Sequence, residues 1–538
     1  MPNALLSGVA ASHAELASLA AVAALAIPGA FALGALLVPL GGRRDLFARA
    51  ERAAAGALLL AGMQILATAA STGASREAAA TVLGLPLQLD AVTSVMLGLI
   101  AFLALVITRY SRAYVGSEDG GPRYVRFLLA TLAAVTTLVV TRNLLVMVLA
   151  WTAASLALHQ LLTFFPGRPL ALVAAHKKFI VSRLADLCLL SAVVLIQTSL
   201  GTLDLMELAA ITGPLPERVE AATFLLVVGA CLRTAQLPFH GWLLQVMEAP
   251  TPVSALLHAG VVNLGGFLMI RVGPLMEASP VAQALLVAIA IGTVVVAALA
   301  MTTQVSVKSR LAWSTCAQMG FMMLQCGLGA YGLALLHLVA HSLYKAHAFL
   351  SSGSTVERWT VSALAPSRSG GSLALWAGAA ALGLVTVGLG AAATGVAPTA
   401  VPALVPFLAV LGLGLAPIVV RGASAGGSGL LGALALGATV AALYAGLHGV
   451  FEVLVPTTPA SLELLGPRLG MALVGIVTLF GLQTALVARP TGPLARALRP
   501  RLYAGFHLDE RFTALTFRLW PAPVPPRRAA TLATAEAN

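Results

Sequence analysis

The chain has 538 residues; 59% are hydrophobic, only 10% are charged, and the formal net charge is +12. A soluble globular chain is nearer about 25% charged, so the composition excludes a cytosolic enzyme, a disordered chain and a disulfide scaffold, and indicates a membrane-embedded protein. The basic excess reads as loop charge, and no soluble basic face with interleaved aromatics suggests nucleic-acid binding.

Apolar runs of about 20 residues, the length of a helical span, predict membrane helices near 16–40, 53–72, 91–109, 125–141, 144–164, 179–199, 222–242 and 253–273. The series continues near 281–302, 310–328, 330–352, 372–395, 401–420, 428–450 and 468–488. The expected fold class is an all-α, polytopic bundle of about 14–15 transmembrane helices. A β-barrel would alternate over segments of about ten residues, and these runs are continuous. The first 13 residues carry no Lys or Arg, so no cleavable signal is expected. Cys188, Cys231, Cys316 and Cys326 lie in apolar runs without C-x-x-C spacing and read as small buried hydrophobes. The segment 501–521 is too charged to span and reads as an interfacial amphipathic helix. The stretch 521–538, rich in Pro and Ala, is expected to be disordered.

Basic residues in short loops set orientation. With the N-terminus outside, 24 of the 32 fall on the cytoplasmic side, including Lys177 and Lys178, and five fall outside: Arg76, Arg142, Arg218, Arg271 and Arg468. Three remain inside spans: Arg183, Arg233 and Lys345. The expected topology is N-out and C-in.

Charge at membrane depth costs at least about 2.5 kcal/mol per group at a helix centre, so the intramembrane ionisable residues are the informative ones. They concentrate between 159 and 347. Arg183 and Asp186 are three apart and share a helix face; the pair either fixes packing or takes part in charge movement. Arg233 is followed by Pro238, Gly241, Pro250 and Pro252, which predict a broken helix flanked by His240 and Glu248, with His258 beyond it. His337, His341 and Lys345 recur at i, i+4 and i+8 and stack on one stripe. A lone histidine on an apolar helix is usually a packed core residue, but three titratable groups in line point to a proton or ion wire. His159 completes the set. Histidine changes charge near neutral pH and buried lysine can do so, whereas arginine stays charged. The stripe lacks a carboxylate and the H-E-x-x-H pattern, so no metal site, cofactor or catalytic residue is expected on this chain.

The segments "AQLPFHGWLLQVMEAPTPVSALLHAG", "KSRLAWSTCAQMGFM" and "HLVAHSLYKAHAFLSSGS" resemble signatures of the antiporter-like membrane subunits of respiratory complex I and Mrp-type cation/proton antiporters. The likeness runs from about Arg126 to Gly353. Within that superfamily "HGWLLQVMEAP", "AWSTCAQMGF" and "LYKAHAFL" most resemble DabB-type membrane subunits of inorganic-carbon accumulation systems. The resemblance implies discontinuous helices in inverted repeats, and a division into N-terminal helices (1–124), an antiporter-like core (125–353), C-terminal helices (354–490) and a cytoplasmic tail (491–538). It implies a bacterial inner-membrane location and a soluble zinc-containing, carbonic-anhydrase-like partner (DabA type) on the cytoplasmic face. The pair would take up CO2 or bicarbonate, driven by protons or another cation, with any hydration chemistry on the partner. The other reading within the superfamily is a proton-translocating, subunit L-like component of an NADH-quinone oxidoreductase, or an Mrp-type antiporter.

The resemblance carries Arg183 and Asp186 onto the family's buried pair, His258 onto the histidine of its P-T-P helix, and His337, His341 and Lys345 onto its central path. Two departures stand out. Complex I subunits place a glutamate after the tryptophan of the fifth helix, where this chain has Thr152 after Trp151, and their lysine before A-Q-L-P is Arg233 here. The second half is also bare: Arg421 is the only Asp, Glu, Lys, Arg or His between Ser369 and Leu447. A complete complex-I-type pump is therefore not expected.

Overall fold

In the computed structural model, residues 2–38, 45–71, 78–82, 84–116, 118, 120–211, 213–354, 372–394, 402–455 and 462–521 are described. The tail expected to be disordered lies, after Pro521, outside them. The chain opens with two long apolar helices, α1 (Pro2–Leu37) and α2 (Leu46–Ser71), packed along each other. Ala50, Ala54, Ala57 and Ala61 form a stripe on α2 and are 1% exposed or less. Small residues at this spacing let two backbones approach closely, which drives helix pairing where lipid removes the hydrophobic contrast.

A hairpin that the hydropathy pattern did not foretell follows: β1 (Ala78–Val82) pairs antiparallel with β2 (Leu85–Leu89), and Gly84 turns at φ +77°. Asp90 then caps α3 (Ala91–Val115) by accepting from the Thr93 N–H at 2.7 Å. α4 (Gly121–Val140) and α5 (Leu144–Leu162) follow, the latter capped by Asn143. α6 (Pro169–Leu200) has proline at its start, where the missing N–H costs nothing. It begins ten residues before the expected span.

The short α7 (Leu205–Ala209) leads to α8 (Glu217–Arg233), and from there the path is interrupted. α9 (Gly241–Gln245), α10 (Thr251–Ala259), α11 (Leu264–Arg271) and α12 (Gly273–Glu277) are fragments. The α10–α11 pair sits at the centre, with 94% of its most apolar window buried, against 22% for the peripheral Gly427–Leu454. The remaining helices are α13 (Pro280–Met301), α14 (Val307–Gly327), α15 (Tyr331–Leu350), α16 (Leu373–Ala393), α17 (Val405–Ser424), α18 (Gly427–Leu454) and α19 (Leu462–Ala488).

Twelve of these segments are long and apolar enough to cross a membrane, counted among the described residues. The other three expected spans coincide with α8, which has 17 residues, and with α14 and α15, whose charged and histidine side chains lower their hydropathy. The expected single interfacial helix is two: α20 (Pro493–Tyr503) and α21 (Glu510–Leu519), separated by a turn in which Gly505, Phe506 and His507 all have positive φ.

Four residues counted as loop charges are buried in the fold. Lys177 and Lys178 lie within α6, Arg271 ends α11, and Arg468 lies in α19 against Gln283 and the Gly327 carbonyl. Arg271 pairs with Asp90 and donates to Thr93 Oγ1 at 2.6 Å, tying α11 to the start of α3. Burial raises the pKa of Asp90, but the charge and hydrogen bonds of Arg271 more than offset it, so the carboxyl titrates below its usual range. A depressed carboxylate stabilises the fold above its unfolded pKa, near 3.9, and that contribution is lost as pH falls through the lower folded value. Asp90→Asn should destabilise the purified chain by about 3 kcal/mol at neutral pH, and the deficit against wild type should shrink on acidification. Thermal unfolding in detergent between neutral and acid pH measures both.

Candidate charge-transfer site

The break after α8 is made by the local sequence. Ala235 is fully buried with φ +53°, a conformation disfavoured for a residue bearing Cβ. Pro238 lacks an N–H and stands in the break, and Gly241 starts α9. The freed backbone groups find partners: Leu237 N–H donates to Thr293 Oγ1 at 3.1 Å, and Gln236 N–H to the Cys231 carbonyl at 3.1 Å. Pro250 and Pro252 begin α10 rather than interrupt it. A second break, not foreseen, lies at Gly260 between α10 and α11.

Arg233, held at the end of α8 by this break, meets Asp186 of α6. Asp186 Oδ1 accepts from Arg233 Nη2 and from Thr152 Oγ1, the latter at 2.9 Å; Oδ2 lies 2.7 Å from Arg183 Nη2. The Arg233 guanidinium also stands 5.0 Å over the Trp151 ring. Thr152 thus supplies a hydroxyl to the carboxylate from the position where complex I subunits carry a glutamate.

Lys178 joins the group. It is buried, and its Nζ donates to Ser155 Oγ at 2.7 Å and to the Ser155 carbonyl at 2.9 Å. The sequence reading missed it because it stands next to Lys177 just before the apolar run. The available signal was spacing: Lys178, Ser182 and Asp186 recur every four residues, one stripe of a helix that starts earlier. Arginine keeps its proton in proteins, so Lys178 is the cation here whose charge can change.

The second group lines α15 where it faces the break at Gly260. Lys345 is fully buried and donates to Ser314 Oγ at 2.8 Å and the Leu311 carbonyl at 3.2 Å. His341 Nε2 lies 3.3 Å from the His258 carbonyl, and the His337 and His341 rings are 5.9 Å apart. His337 Nδ1 lies 3.0 Å from Gln325 Oε1. His258 is fully buried, stacks on Phe349 at 4.5 Å and has neither ring nitrogen bonded among the described residues. His347 is exposed, off the stripe.

His159 stands at the end of α5, one turn past the Ser155 that holds Lys178, 6.3 Å from the His176 ring and 6.0 Å from Trp520. That corner is closed by the C-terminal segment. Trp520 stacks on His176 at 3.9 Å, and Asp509 reaches Lys177 Nζ at 2.5 and 2.6 Å, also accepting from Gln245 Nε2 at 3.2 Å. Lys177 has no exposed surface. Gly241 makes room: a Cβ there would lie 1.7 Å from Asp509 Oδ1. The joint between the broken helix and the tail had no local sequence signature.

The family model described as NADH:quinone oxidoreductase/Mrp antiporter, TM, matches residues 141–400. A probable inorganic carbon transporter subunit, DabB, of Hydrogenovibrio crunogenus is 42% identical over 80% of this chain and 83% of its own length. DabB2 of Halothiobacillus neapolitanus, described in the same terms, is 38% identical over 93% and 94%. Among solved structures, the Mrp complex from Dietzia sp. aligns with a TM-score of 0.59 at 23% identity, over 91% of this chain and 59% of that one, which shows the shared fold.

Asp509→Asn should leave Lys177 buried without its counter-charge, and Gly241→Ala should push the carboxylate off it. Both variants should raise amide hydrogen exchange across residues 505–520 at least about tenfold. Wild-type exchange there in both would refute the joint.

Proposed function

The chain belongs to the DabB family of inorganic-carbon-transporter membrane subunits, within the complex I subunit L/Mrp antiporter-like superfamily, and on that premise we propose that it conducts protons, or another cation, to drive uptake of CO2 or bicarbonate. The work on carbon would fall to a soluble zinc-containing, carbonic-anhydrase-like partner on the cytoplasmic face of the inner membrane. The chain would lie N-terminus out and C-terminus in. The observation that carries the reading is Lys345: a fully buried ammonium held by a hydroxyl and a carbonyl, in line with His337 and with His341, which reaches the His258 carbonyl by the break.

A proton needs donors and acceptors in sequence and somewhere to rest. His337 and His341 can each take a proton at one ring nitrogen while releasing one from the other. His258 offers two unbonded ring nitrogens next to the unwound turn. Lys345, with no carboxylate partner among the described residues, can lose its charge without stranding an anion. The Asp186 group serves differently. Its two arginines supply fixed positive charge around one carboxylate, so a proton arriving there is taken up or given by Lys178. This replaces the glutamate–lysine pair of complex I subunits with an arginine–aspartate–lysine arrangement. The stretch Ser369–Leu447, with Arg421 as its one Asp, Glu, Lys, Arg or His, offers no counterpart, which leaves these two groups to carry the conduction.

Lys345→Ala and His341→Ala should each abolish inorganic-carbon uptake by cells while the variant chain still reaches the membrane and retains its partner on purification. Wild-type uptake in both would end the wire. Lys178→Arg keeps the charge but cannot release a proton: uptake lost in Lys178→Arg as in Lys178→Met supports titration of this lysine. Uptake kept in Lys178→Arg alone assigns it a fixed charge.

A further inference from the structure

Away from the titratable groups, a cavity of about 750 Å³ opens where α13, α16, α17 and α19 meet α20. Most of its wall is apolar, with Leu413, Leu479 and Phe480 among the side chains that form it. Polar groups join the lining as well: Arg499 and Tyr503 of α20, Gln483 and Thr484 of α19, and Thr302 and Thr303 just past α13. A void of this size within apolar helices forfeits dispersion contacts, and water is poorly held where it finds few polar partners. The surrounding bilayer supplies acyl chains.

Three observations define what would fill it. Arg499 is exposed, and its guanidinium donates to a backbone carbonyl, that of Leu486, at 3.3 Å. A guanidinium has five donors in a fork that suits phosphate, so most of its capacity faces outward. Its neighbours are basic: Arg489, Arg496 and Arg501 stand nearby in a sequence with no acid from 489 to 503. Trp376 lines the cavity, and its indole N–H is buried with no acceptor among the described residues. An unanswered buried donor beside an apolar cavity calls for an oxygen from elsewhere.

We infer that this cavity is a binding site for one anionic glycerophospholipid, with its phosphate on Arg499, an ester oxygen on the Trp376 indole N–H and an acyl chain between α17 and α19. Basic pockets between membrane helices at the cytoplasmic face take anionic headgroups, and Tyr503 suits the headgroup level by its amphipathic ring. The site is independent of the conduction path, since no member of either titratable group lines it.

The test is lipid retention by the purified full-length chain, stripped with detergent and re-supplied with phosphatidylglycerol or with phosphatidylcholine of the same acyl chains. Native mass spectrometry counts the bound lipid. Wild type should retain about one phosphatidylglycerol, favoured about fivefold over phosphatidylcholine, the ratio that one interfacial arginine confers. Arg499→Gln should abolish that preference. Gly414→Leu should prevent retention of both lipids, because a Cβ at Gly414 enters open space in the cavity, with no atom within 4 Å. No retained lipid in wild type, equal retention of the two headgroups, or undiminished retention in Gly414→Leu overturns the assignment. Because Arg499 is exposed on α20, its variant keeps the test decisive should the Gly414 variant fold poorly.

Discussion

Asp186 is the only Asp or Glu that is buried among the described residues, and it answers two arginines. A single carboxylate taken out of water needs that much compensation, and supplying it fixes geometry. Arg183 is on the same helix and reaches Asp186 by spacing alone. Arg233 must come from α8, so α6 and α8 pack along each other, and α8 must end where its guanidinium can turn inward. The break at 234–240, made by the local sequence, is what lets it do so. The buried carboxylate, the helix pairing and the discontinuity are one constraint seen at three levels.

The breaks are tolerated because freed backbone groups are met by protein. Thr293 takes the N–H of Leu237, and Asn263 donates through its side chain to the Ala259 carbonyl at 2.9 Å and to Ser342 at 2.8 Å beside the break at Gly260. Irregular backbone at membrane depth persists only where it is enclosed or lines a polar path. Here the fragments form the most enclosed part of the bundle, and the histidines and lysines gather around them. The periphery has the opposite chemistry: α16 to α18 pack through glycine and alanine contacts such as Gly383 against Gly412, with scarcely a titratable residue to place.

The spans were legible because hydropathy over about 20 residues is a local property. The stripe of His337, His341 and Lys345 was legible because helical period is local as well. What escaped was set by distance or by helix ends. Lys178 looked like loop charge because an apolar run marks the middle of a helix, not its beginning, and α6 extends ten residues further back. Arg468 looked like loop charge for the same reason, and Arg271 because it closes its helix; their partners Asp90 and Gln283 lie 181 and 185 residues away. The hairpin at 78–89 was hidden by shortness, since five-residue strands carry little periodic signal. The break at Gly260 was hidden because glycine is common in membrane helices; only a loop-like φ,ψ pair of −125° and −76° marks it.

The contact between Lys177 and Asp509 joins residues 332 apart. Synthesis runs from the N-terminus, so α6 enters the bilayer long before its neutralising carboxylate exists. Until then Lys177 must stay hydrated, and the corner of the bundle around it stays open to water. Arrival of α21 converts an open, wet corner into a sealed one. A chain shortened upstream of Asp509 would present a buried lysine without its counter-charge.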